Sequence, residues 1–372
     1  MYVDSIKLIN YRNYKGLKVK LNPNLNLFLG DNAQGKTNLL EAIYICSMGK
    51  SYRTGRDKDL IDIKKDKAYV GVYVNKKDID KRIEIKLERD KPKRARINKI
   101  EIDKISELYG QLNVVIFSPE DLKLIKEGPS QRRNFLNDEI SQIRPNYRYN
   151  LSKYNKIINQ RNNLLKMAQY DKNKIETIDV FDMQLVDIAA KILTSRIDFL
   201  KKLSKISKII HKSITAGIEK IDLEYVSSFQ LNCYEEEKIK NSYYNVLKKN
   251  LNADIEKGRT EFGPHRDDIK IDVNNIDIRT FGSQGQQRTA ALSLKLAEVE
   301  LIKEEMGEYP VLLLDDVLSE LDHTRRKYLI KTFKDIQTII TSTDNIELEE
   351  ISKKSKSVFY IKRGNISLLK EE

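Results

Sequence analysis

The sequence is poor in the residues that build disulfide frameworks and structural zinc sites. Its 372 residues include two cysteines, Cys46 and Cys233, and three histidines, His211, His265 and His323, all far apart in the chain. This composition excludes a disulfide-stapled fold, argues against a structural zinc site and favours a reducing, cytoplasmic setting. Neither a Ser-His-Asp nor a Cys-His arrangement stands out for nucleophilic catalysis.

Long apolar runs are also missing. The longest are Val311–Leu314 and the stretch around Val114–Phe117, whereas a bilayer-crossing helix needs roughly 18–20 apolar residues. The first ten residues carry Asp4 and lack the apolar core of a signal peptide. We therefore expect no membrane partner.

Positive charge is abundant. The chain has 68 Lys and Arg against 55 Asp and Glu, a formal net charge of +13, and 40% of its residues are hydrophobic. This is a globular composition, and the length suggests two or three lobes. The excess charge suits a polyanionic partner such as nucleic acid, although a lysine-rich solvated surface that aids solubility is the alternative.

The hydrophobic pattern divides the chain into three parts. Alternating residues predict strands in the first part, residues 1–140, with a small antiparallel sheet over 69–74, 82–87 and 95–102 and a basic turn at 89–94. Residues 141–258 are largely helical, with a long apolar stripe that predicts a helix or helical hairpin. Residues 259–372 return to an α/β pattern, after strands predicted at 222–231 and 267–280.

One segment carries a strong phosphate-binding pattern. Residues 30–37 fit G-x-x-x-x-G-K-[ST], between a strand ending at Leu29 and a helix starting at Lys36. Such a loop curls so that its N–H groups and the helix N-terminus meet phosphate oxygens, while Lys36 reaches the β- and γ-phosphates of ATP and Thr37 binds Mg²⁺. The predicted nucleotide-binding residues here are Gly30, Asp31, Asn32, Ala33, Gln34, Gly35, Lys36, Thr37 and Asn38.

A second segment supplies carboxylates for the same site. Val311–Leu314 predicts a buried strand, and Asp315 and Asp316 follow at its carboxyl end, where doubly wound sheets place their ligands. We expect Asp315 to hold Mg²⁺ through water and Asp316 to orient or deprotonate the attacking water. Asp315, Asp316 and Lys36 are thus the predicted catalytic residues. An acidic turn after a strand is the structural alternative.

Two further segments resemble known motifs. Ser283-Gln284-Gly285-Gln286-Gln287 resembles the signature loop of ABC-type ATPases, and Ser319-Glu320-Leu321-Asp322 resembles their D-loop. The resemblance implies an α/β ABC-type ATPase head, which is a P-loop sheet with flanking helices and an antiparallel β-subdomain, here with an inserted α-helical lobe. It also implies that Ser283, Gly285 and Gln286 contact ATP held by a second copy of the chain.

The number of residues between the phosphate-binding segment and the signature-like segment narrows the choice of ABC-type family. From Thr37 to Ser283 the gap is 246 residues, longer than in transporter subunits and shorter than in SMC proteins with their coiled coils. Residues 9–14, 117–122, 128–133 and 263–268 also resemble segments of the RecF family of bacterial recombination mediators. That resemblance implies an ATP-dependent dimer that binds gapped or junction DNA and hydrolyses ATP slowly with DNA stimulation. It further implies RecR and RecO as partners and roles in RecA loading, DNA replication, repair and the SOS response.

Several site positions rest on the resemblance alone. Arg12 resembles an arginine that approaches the nucleotide phosphates, and Thr343 occupies the place of the switch histidine. Glu120 or Asp121 lies where a Q-loop ligand to the metal is expected, and Gln111 lies nearby; Glu120 is the predicted ligand. Asp316 stands where the family usually has Glu, one methylene longer, so slow hydrolysis is expected. Arg12 and the nearby Arg53 could instead be ordinary surface arginines.

Three basic clusters are candidates for DNA phosphate contacts, and each could equally be a solvated face. The clusters are Lys91, Lys93, Arg94, Arg96 and Lys99; Arg132 and Arg133; and Lys201, Lys202, Lys205, Lys208 and Lys212. No helix-turn-helix, zinc finger or RNA-recognition motif is visible.

Other functions fit the sequence less well. A motor of the transporter or SMC type is disfavoured by the intermediate gap and the short helical arm. A nuclease with an ABC head would need an additional acidic metal-binding domain, for which few residues remain after Lys370.

Overall fold

The computed structural model describes residues 1–76, 79–231, 233–332, 335–343 and 355–371. The chain forms two compact units, one of residues 1–121 and 292–372 and one of residues 122–291. The sequence-based boundaries at 140/141 and 258/259 differ from these. The difference arises because a helix at 129–143 and strands at 221–277 pack with the helical arm.

Strands and helices follow one another along the chain broadly as the hydrophobic pattern predicts. The strands of the described residues are β1 (Tyr2–Tyr11), β2 (Tyr14–Lys20), β3 (Leu25–Leu29), β4 (Lys67–Lys76), β5 (Ile79–Glu88), β6 (Lys91–Ile97), β7 (Ile100–Glu101), β8 (Val114–Phe117), β9 (Ile221–Val226), β10 (Asp268–Val273), β11 (Ile276–Asp277), β12 (Val311–Asp315), β13 (Thr338–Ser342), β14 (Lys356–Lys362) and β15 (Asn365–Glu371). The α-helices are α1 (Lys36–Met48), α2 (Leu122–Lys126), α3 (Pro129–Ile143), α4 (Pro145–Ala168), α5 (Ile175–Ile214), α6 (Glu236–Lys249), α7 (Leu251–Lys257), α8 (Ile278–Phe281), α9 (Gln284–Met306) and α10 (His323–Thr332).

The first unit contains two sheets. One is antiparallel in the order β2-β1-β4-β5-β6-β7, and the other has the order β15-β14-β3-β13-β12-β8, in which β14, β3, β13, β12 and β8 run parallel. Every residue of β3 and of β12 is buried, as expected for strands covered on both faces. Because β13 pairs with both, the carboxyl ends of β3 and β12 lie close together.

Helix α1 belongs to the core of this unit. It packs against strands of both sheets, and apolar residues such as Leu39, Ile43 and Ile45 are fully buried on different sides of it. A helix that is buried on nearly all sides is held firmly. The N-terminus of α1 is therefore a fixed point beside the carboxyl ends of the parallel strands.

The predicted basic turn is corrected by the antiparallel sheet. Only Arg89 and Asp90 form the turn, and Lys91 to Arg94 belong to strand β6. The strand pairs with β5, and its Ala95 is buried against the core. Cross-strand ion pairs explain why so many charges are accommodated there.

The second unit is built on a helical hairpin. The apolar stripe, for which a helix or a hairpin was predicted, lies on the single 40-residue helix α5, which packs along α4. The strand predictions at 222–231 and 267–280 are too long, since the observed sheet is β11-β10-β9 and Ile278–Phe281 is helical. Asp277 caps that short helix by accepting a hydrogen bond from the Arg279 N–H.

A buried ion triad ties the helices of this unit together. Arg161 on α4 donates to Asp182 of α5 at 2.5 Å and to Asp254 of α7 at 2.8 Å. All three side chains are fully buried. Each carboxylate contacts the guanidinium directly, so the single cation partly compensates both acids.

His265 has a structural role in this unit. Its Nδ1 lies 2.7 Å from the Tyr154 hydroxyl, and its Nε2 lies 3.1 Å from the Thr260 carbonyl oxygen. Burial lowers the pKa of His265 to about 4. These contacts hold the turn at residues 264–266 that precedes β10.

Within the described ranges, no helix is long and apolar enough to span a bilayer.

Candidate nucleotide-binding site

The loop that joins β3 to α1 has a backbone path that demands glycine. Gly30 and Gly35 have φ values of +151° and +117°. A Cβ on Gly35 would lie 2.6 Å from the Asn13 side-chain nitrogen, and one on Gly30 would collide with the carbonyl oxygen of Ile361. The two glycines therefore permit the tight curl that a phosphate loop requires.

The loop borders an open cavity of about 560 Å³ in the first unit. The predicted residues that line it are Arg12, Asn32, Ala33, Gly35, Lys36, Thr37, Asn38, Asp315 and Asp316. Gly30, Asp31 and Gln34 complete the loop beside them. The structure thus brings the glycine-rich segment and both strand-end carboxylates to one place.

Lys36 is folded back onto the loop. Its buried ammonium donates to the carbonyl oxygens of Gly30 and Asp31, the latter at 3.1 Å. These acceptors hold the charge at the cavity wall without neutralising it. A phosphate chain in the loop would offer the ammonium stronger, charged acceptors.

Asp315 is held by hydroxyl groups. Its Oδ1 accepts from Thr37 at 2.8 Å and from Thr341 at 3.0 Å, and its Oδ2 accepts from Tyr52 at 3.2 Å. Burial raises the pKa of Tyr52, and the Asp315 charge raises it further, so the phenol remains a donor. Sequence reasoning missed Thr341 and Tyr52 as supports of this carboxylate.

The neighbouring oxygens of Thr37 and Asp315 fit a magnesium site. Mg²⁺ prefers hard oxygen ligands and commonly uses one or two carboxylates together with phosphates and water. Among the described residues, no group of three or more His, Cys, Asp or Glu side chains is arranged to hold a metal. Phosphate oxygens and water would therefore have to complete the coordination.

Asp316 lies at a sharp bend after β12. Its φ of +55° is in the left-handed region, and its N–H donates to the Thr341 hydroxyl at 3.1 Å. Ser319 donates to the Asp316 carbonyl oxygen at 2.7 Å. The bend turns the chain at the cavity edge, with Asp316 as one of the lining residues.

Arg12 is held by a buried acid. Its guanidinium donates to Glu41 at 2.8 and 2.7 Å, and Arg53 lies 3.8 Å from the same carboxylate. Burial opposes the charge of Arg12, but Glu41 outweighs it and raises the arginine pKa. Both arginines line the cavity. The ion pair with Glu41, which the sequence did not indicate, fixes Arg12 at its rim.

Thr343 and Glu120 are among the predicted residues that lie outside the cavity lining. Thr343 directly follows β13 and is half-buried, and Glu120 is exposed in the short 3₁₀ helix Pro119–Asp121 after β8. Neither is among the described residues that line the cavity. The following Asp344 lies outside the described residues.

The signature-like segment lies in the second unit. Ser283 is exposed and immediately precedes α9, and Gly285 and Gln286 are in the first turn of that helix. The Gln286 N–H donates to the Ser283 hydroxyl oxygen at 3.2 Å. This N-terminal end is open to solvent and offers a positive helix terminus to an anion.

Most cations of the first basic cluster are paired with acids of the same sheet or, for Lys93, with Asp57 in the 3₁₀ helix Asp57–Leu60. The pairs are Lys91 and Arg94 with Glu88, Lys93 with Asp57, and Arg96 with Glu101. Lys99 is exposed in the turn before β7. Paired cations release fewer counterions on DNA, so this cluster is a weaker candidate than the sequence indicates.

The arginine pair of the second cluster is corrected as a DNA contact. Arg132 is buried and donates to both carboxylate oxygens of Asp268 at 2.7 and 2.9 Å. The half-buried Arg133 donates to the Asp267 carbonyl oxygen at 2.9 Å. Arg132 therefore joins α3 to β10 and cannot reach a phosphate at the surface.

The lysines of the third cluster follow one face of α5. Lys201, Lys205, Lys208 and Lys212 are spaced by four, three and four residues, and all except the half-buried Lys208 are exposed. Lys208 pairs with Asp222, and the neighbouring Lys202 pairs with Asp198 at 3.3 Å. This row, the α5 lysine face, is the exposed cationic surface that best fits the prediction.

Known proteins match nearly the whole chain. Residues 2–367 match the family described as RecF/RecN/SMC N terminal domain. The chain is 50% identical over 367 residues to the DNA replication and repair protein RecF of Alkaliphilus oremlandii, covering 98% of this chain and 100% of that protein. It is 48% identical over 368 residues to the RecF of Clostridium novyi, covering 99% and 100%.

Solved structures agree with the predicted fold class. The structure of the recombination mediator protein RecF with ATP in the RecFOR pathway has a TM-score of 0.93 at 38% identity, covering 99% of this chain and 98% of that one. The Smc head domain of Pyrococcus furiosus has a TM-score of 0.57 at 16% identity, covering 99% and 96%, which shows a shared fold alone. The predicted α/β head fold is confirmed, and the chain belongs to the RecF family of DNA replication and repair proteins within the RecF/RecN/SMC group.

Proposed function

We propose that this chain is an ATP-dependent, DNA-binding recombination mediator of the RecFOR pathway. The observation that carries the proposal is the Thr37–Asp315 hydrogen bond of 2.8 Å beside a glycine-built loop with Lys36 folded onto it. The RecF relatives and the similar structure of RecF with ATP support the same function.

In the proposed cycle, the loop N–H groups and Lys36 bind the phosphates of ATP. Thr37 and Asp315 would hold Mg²⁺, which when bound screens the negative charge of the phosphates. Asp316 orients the attacking water or takes its proton. Its side chain is one methylene shorter than Glu, so we expect a weak ATPase that DNA stimulates.

Pairing of two copies completes the proposed site. Ser283 and Gly285 of one copy contact the γ-phosphate held by the other, with the α9 N-terminus directed at that anion. Gln286 belongs to the same segment. Thr343 as a γ-phosphate sensor and Glu120 as a metal ligand stay predictions. ATP would thereby act as the switch for dimerisation, and slow hydrolysis would open the dimer.

DNA binds, in this proposal, through phosphate contacts that include the α5 lysine face. Phosphate contacts position a protein without reading sequence, which suits gapped DNA and single-strand/double-strand junctions. RecR and RecO are the proposed partners, and the outcome is RecA loading in DNA repair, replication recovery and the SOS response.

Sedimentation velocity tests the switch. Wild-type chain should shift from monomer to dimer with Mg-ATP, and Lys36→Ala should remain monomeric because it loses the phosphate-binding ammonium. Lys18→Ala, which removes an exposed lysine on β2, is the matched control and should behave as wild type. Full ATP-dependent dimerisation of Lys36→Ala would overturn the switch.

A salt titration tests the DNA surface. Replacing Lys201, Lys205 and Lys212 by Ala should weaken binding to gapped DNA and reduce the slope of log affinity against log salt by roughly 2–3. The matched control replaces Lys153, Lys156 and Lys166, which are exposed on α4. Equal slopes for the two triple variants would remove the α5 lysine face from the DNA site.

A further inference from the structure

The signature-like segment begins with a reciprocal pair of hydrogen bonds. The Ser283 hydroxyl oxygen accepts from the Gln286 N–H at 3.2 Å, and the Gln286 side-chain oxygen accepts from the Ser283 N–H at 3.0 Å. This is a capping box, which fixes the start of α9. Because the serine oxygen is used as an acceptor, its hydroxyl hydrogen is left as the donor for an incoming phosphate.

A third side chain sets the orientation of Gln286. The Gln286 amide nitrogen donates to Glu219 Oε1 at 3.0 Å. A side-chain amide can present either its oxygen or its NH₂ group to a neighbour, and only the oxygen can accept from the Ser283 N–H. A carboxylate at position 219 has acceptors alone, so it draws the NH₂ group to itself and turns the oxygen towards Ser283.

Glu219 is itself anchored to the long helix. Its N–H lies 3.3 Å from the Thr215 hydroxyl oxygen, just after the end of α5. Its Oε2 lies 3.3 Å from Nε2 of the fully buried His211, in the last turn of α5. The Glu219 side chain is mostly buried, at 16% exposed. Contacts therefore run from α5 through Glu219 and Gln286 to Ser283, all within the second unit.

We propose that Glu219 is a positioning residue for Ser283, and that it connects the end of the α5 arm to the segment that engages the partner's nucleotide. The proposal rests on the proposed function for the role of Ser283 in the dimer. It adds that the serine is presented correctly only while the carboxylate orients Gln286. A change at the α5 end would reach the nucleotide through this contact.

Hydrogen–deuterium exchange of the nucleotide-free full chain tests the positioning directly. In Glu219→Ala, the peptide spanning 280–288 should exchange roughly 10-fold faster, which corresponds to one lost hydrogen bond of about 1.4 kcal/mol. ATP binding by the single chain should be unchanged, whereas ATP-dependent dimerisation should weaken roughly 10-fold. Glu219→Gln retains an acceptor for the Gln286 amide and should restore most of both properties.

The controls separate this inference from the proposed function. Glu224→Ala changes an exposed glutamate on the adjoining strand β9 and should match wild type in both measurements. Wild-type exchange at 280–288 in Glu219→Ala would overturn the inference, and so would equal losses in Glu219→Ala and Glu219→Gln. If wild-type chain failed to dimerise with ATP, the proposed function would fail while the exchange measurement still decided the role of Glu219.

Discussion

Two sets of buried carboxylates, one in each unit, are partnered in opposite ways. Asp182 and Asp254 in the helical unit meet the guanidinium of Arg161 at 2.5 and 2.8 Å. Asp315 at the nucleotide cavity is also buried, yet its hydrogen-bond donors within the described residues are the hydroxyls of Thr37, Thr341 and Tyr52. The carboxylates thus share a protein cation in the helical unit, whereas Asp315 is held by neutral hydroxyl donors.

This difference supports the proposal that Asp315 serves a ligand, whereas Asp182 and Asp254 serve the packing of the helices. Arg161 contacts both acids directly and joins three helices, so these carboxylates already share a protein cation. The hydroxyl donors hold the Asp315 carboxyl by hydrogen bonds without bringing a positive charge to it. A cation delivered with a triphosphate would find both the charge and the geometry ready. Substitutions in the Arg161 triad should therefore lower stability, whereas substitutions at Asp315 should lower nucleotide affinity.

The largest expected effect is on stability, at the ion triad. Arg161→Met leaves two carboxylates buried without their cation, so we expect a loss of about 3–5 kcal/mol in the free energy of unfolding. Urea unfolding monitored by circular dichroism measures it. Combining Arg161→Met with Asp182→Leu and Asp254→Leu removes the charges together and should restore much of the loss. A cost below about 1 kcal/mol for Arg161→Met would break the comparison.

The stability of Arg161→Met should depend on pH, and the pKa shifts of its two acids give the direction of that dependence. Burial raises the pKa of Asp182 and of Asp254, although Arg161 opposes the rise. Each folded carboxyl then binds its proton more tightly than in the unfolded chain, so its contribution is present below the ordinary aspartate pKa and is lost as pH rises through the folded value. Without Arg161, which opposes it, the rise in the pKa of both aspartates is larger. Arg161→Met should therefore be weakest near neutral pH and recover part of its stability towards pH 5.

The next effect is on nucleotide binding, at Asp315. Asp315→Asn keeps the shape and lets the neighbouring hydroxyls reverse their roles as donors and acceptors, so stability should change by less than about 1 kcal/mol. The loss of the negative charge should weaken Mg-dependent ATP affinity roughly 100-fold. Isothermal titration calorimetry with and without Mg²⁺ measures this change.

Asp182→Asn is the matched control for that substitution. It also converts a buried aspartate into its amide, but it breaks the ion pair with Arg161 and should lower stability without altering ATP affinity. The comparison would be wrong if Asp315→Asn bound Mg-ATP as wild type does, or if both variants lost stability equally.

Local sequence was sufficient for the parts of the site that are contiguous in the chain. The change of hydrophobic period at Lys36 located helix α1 and the loop before it. The run Val311–Leu314 before two aspartates located strand β12. The apolar stripe likewise located the long helix α5. These features are legible because each is set by neighbours a few residues away.

The missed features depend on contacts between distant residues. Tyr52 reaches Asp315 across 263 positions of sequence, and arginine is seldom fully buried, so nothing marked Arg161 as a core residue. The first four residues of strand β6 were assigned to a turn because its lysines and arginines hide the alternation that leaves Ala95 inside. Ion pairs between neighbouring strands cannot be predicted from the sequence until the pairing of the strands is known.

The smallest expected effect sharpens the role of the hydroxyl donors. Tyr52→Phe removes the 3.2 Å hydrogen bond to Asp315 Oδ2 while retaining the packed ring. Freed of that donor, the carboxylate should hold Mg²⁺ less firmly, and Mg-dependent ATP affinity should fall roughly 10-fold, as a titration of Mg²⁺ at fixed ATP would measure. Tyr69→Phe removes a comparable hydroxyl, which donates to Glu84 at 2.7 Å in the antiparallel sheet, and should cost a similar amount of stability with no change in affinity. Should the two variants lose ATP affinity alike, the hydroxyls around Asp315 would be ordinary stabilising donors, and only the missing cation would distinguish this carboxylate from those that meet Arg161.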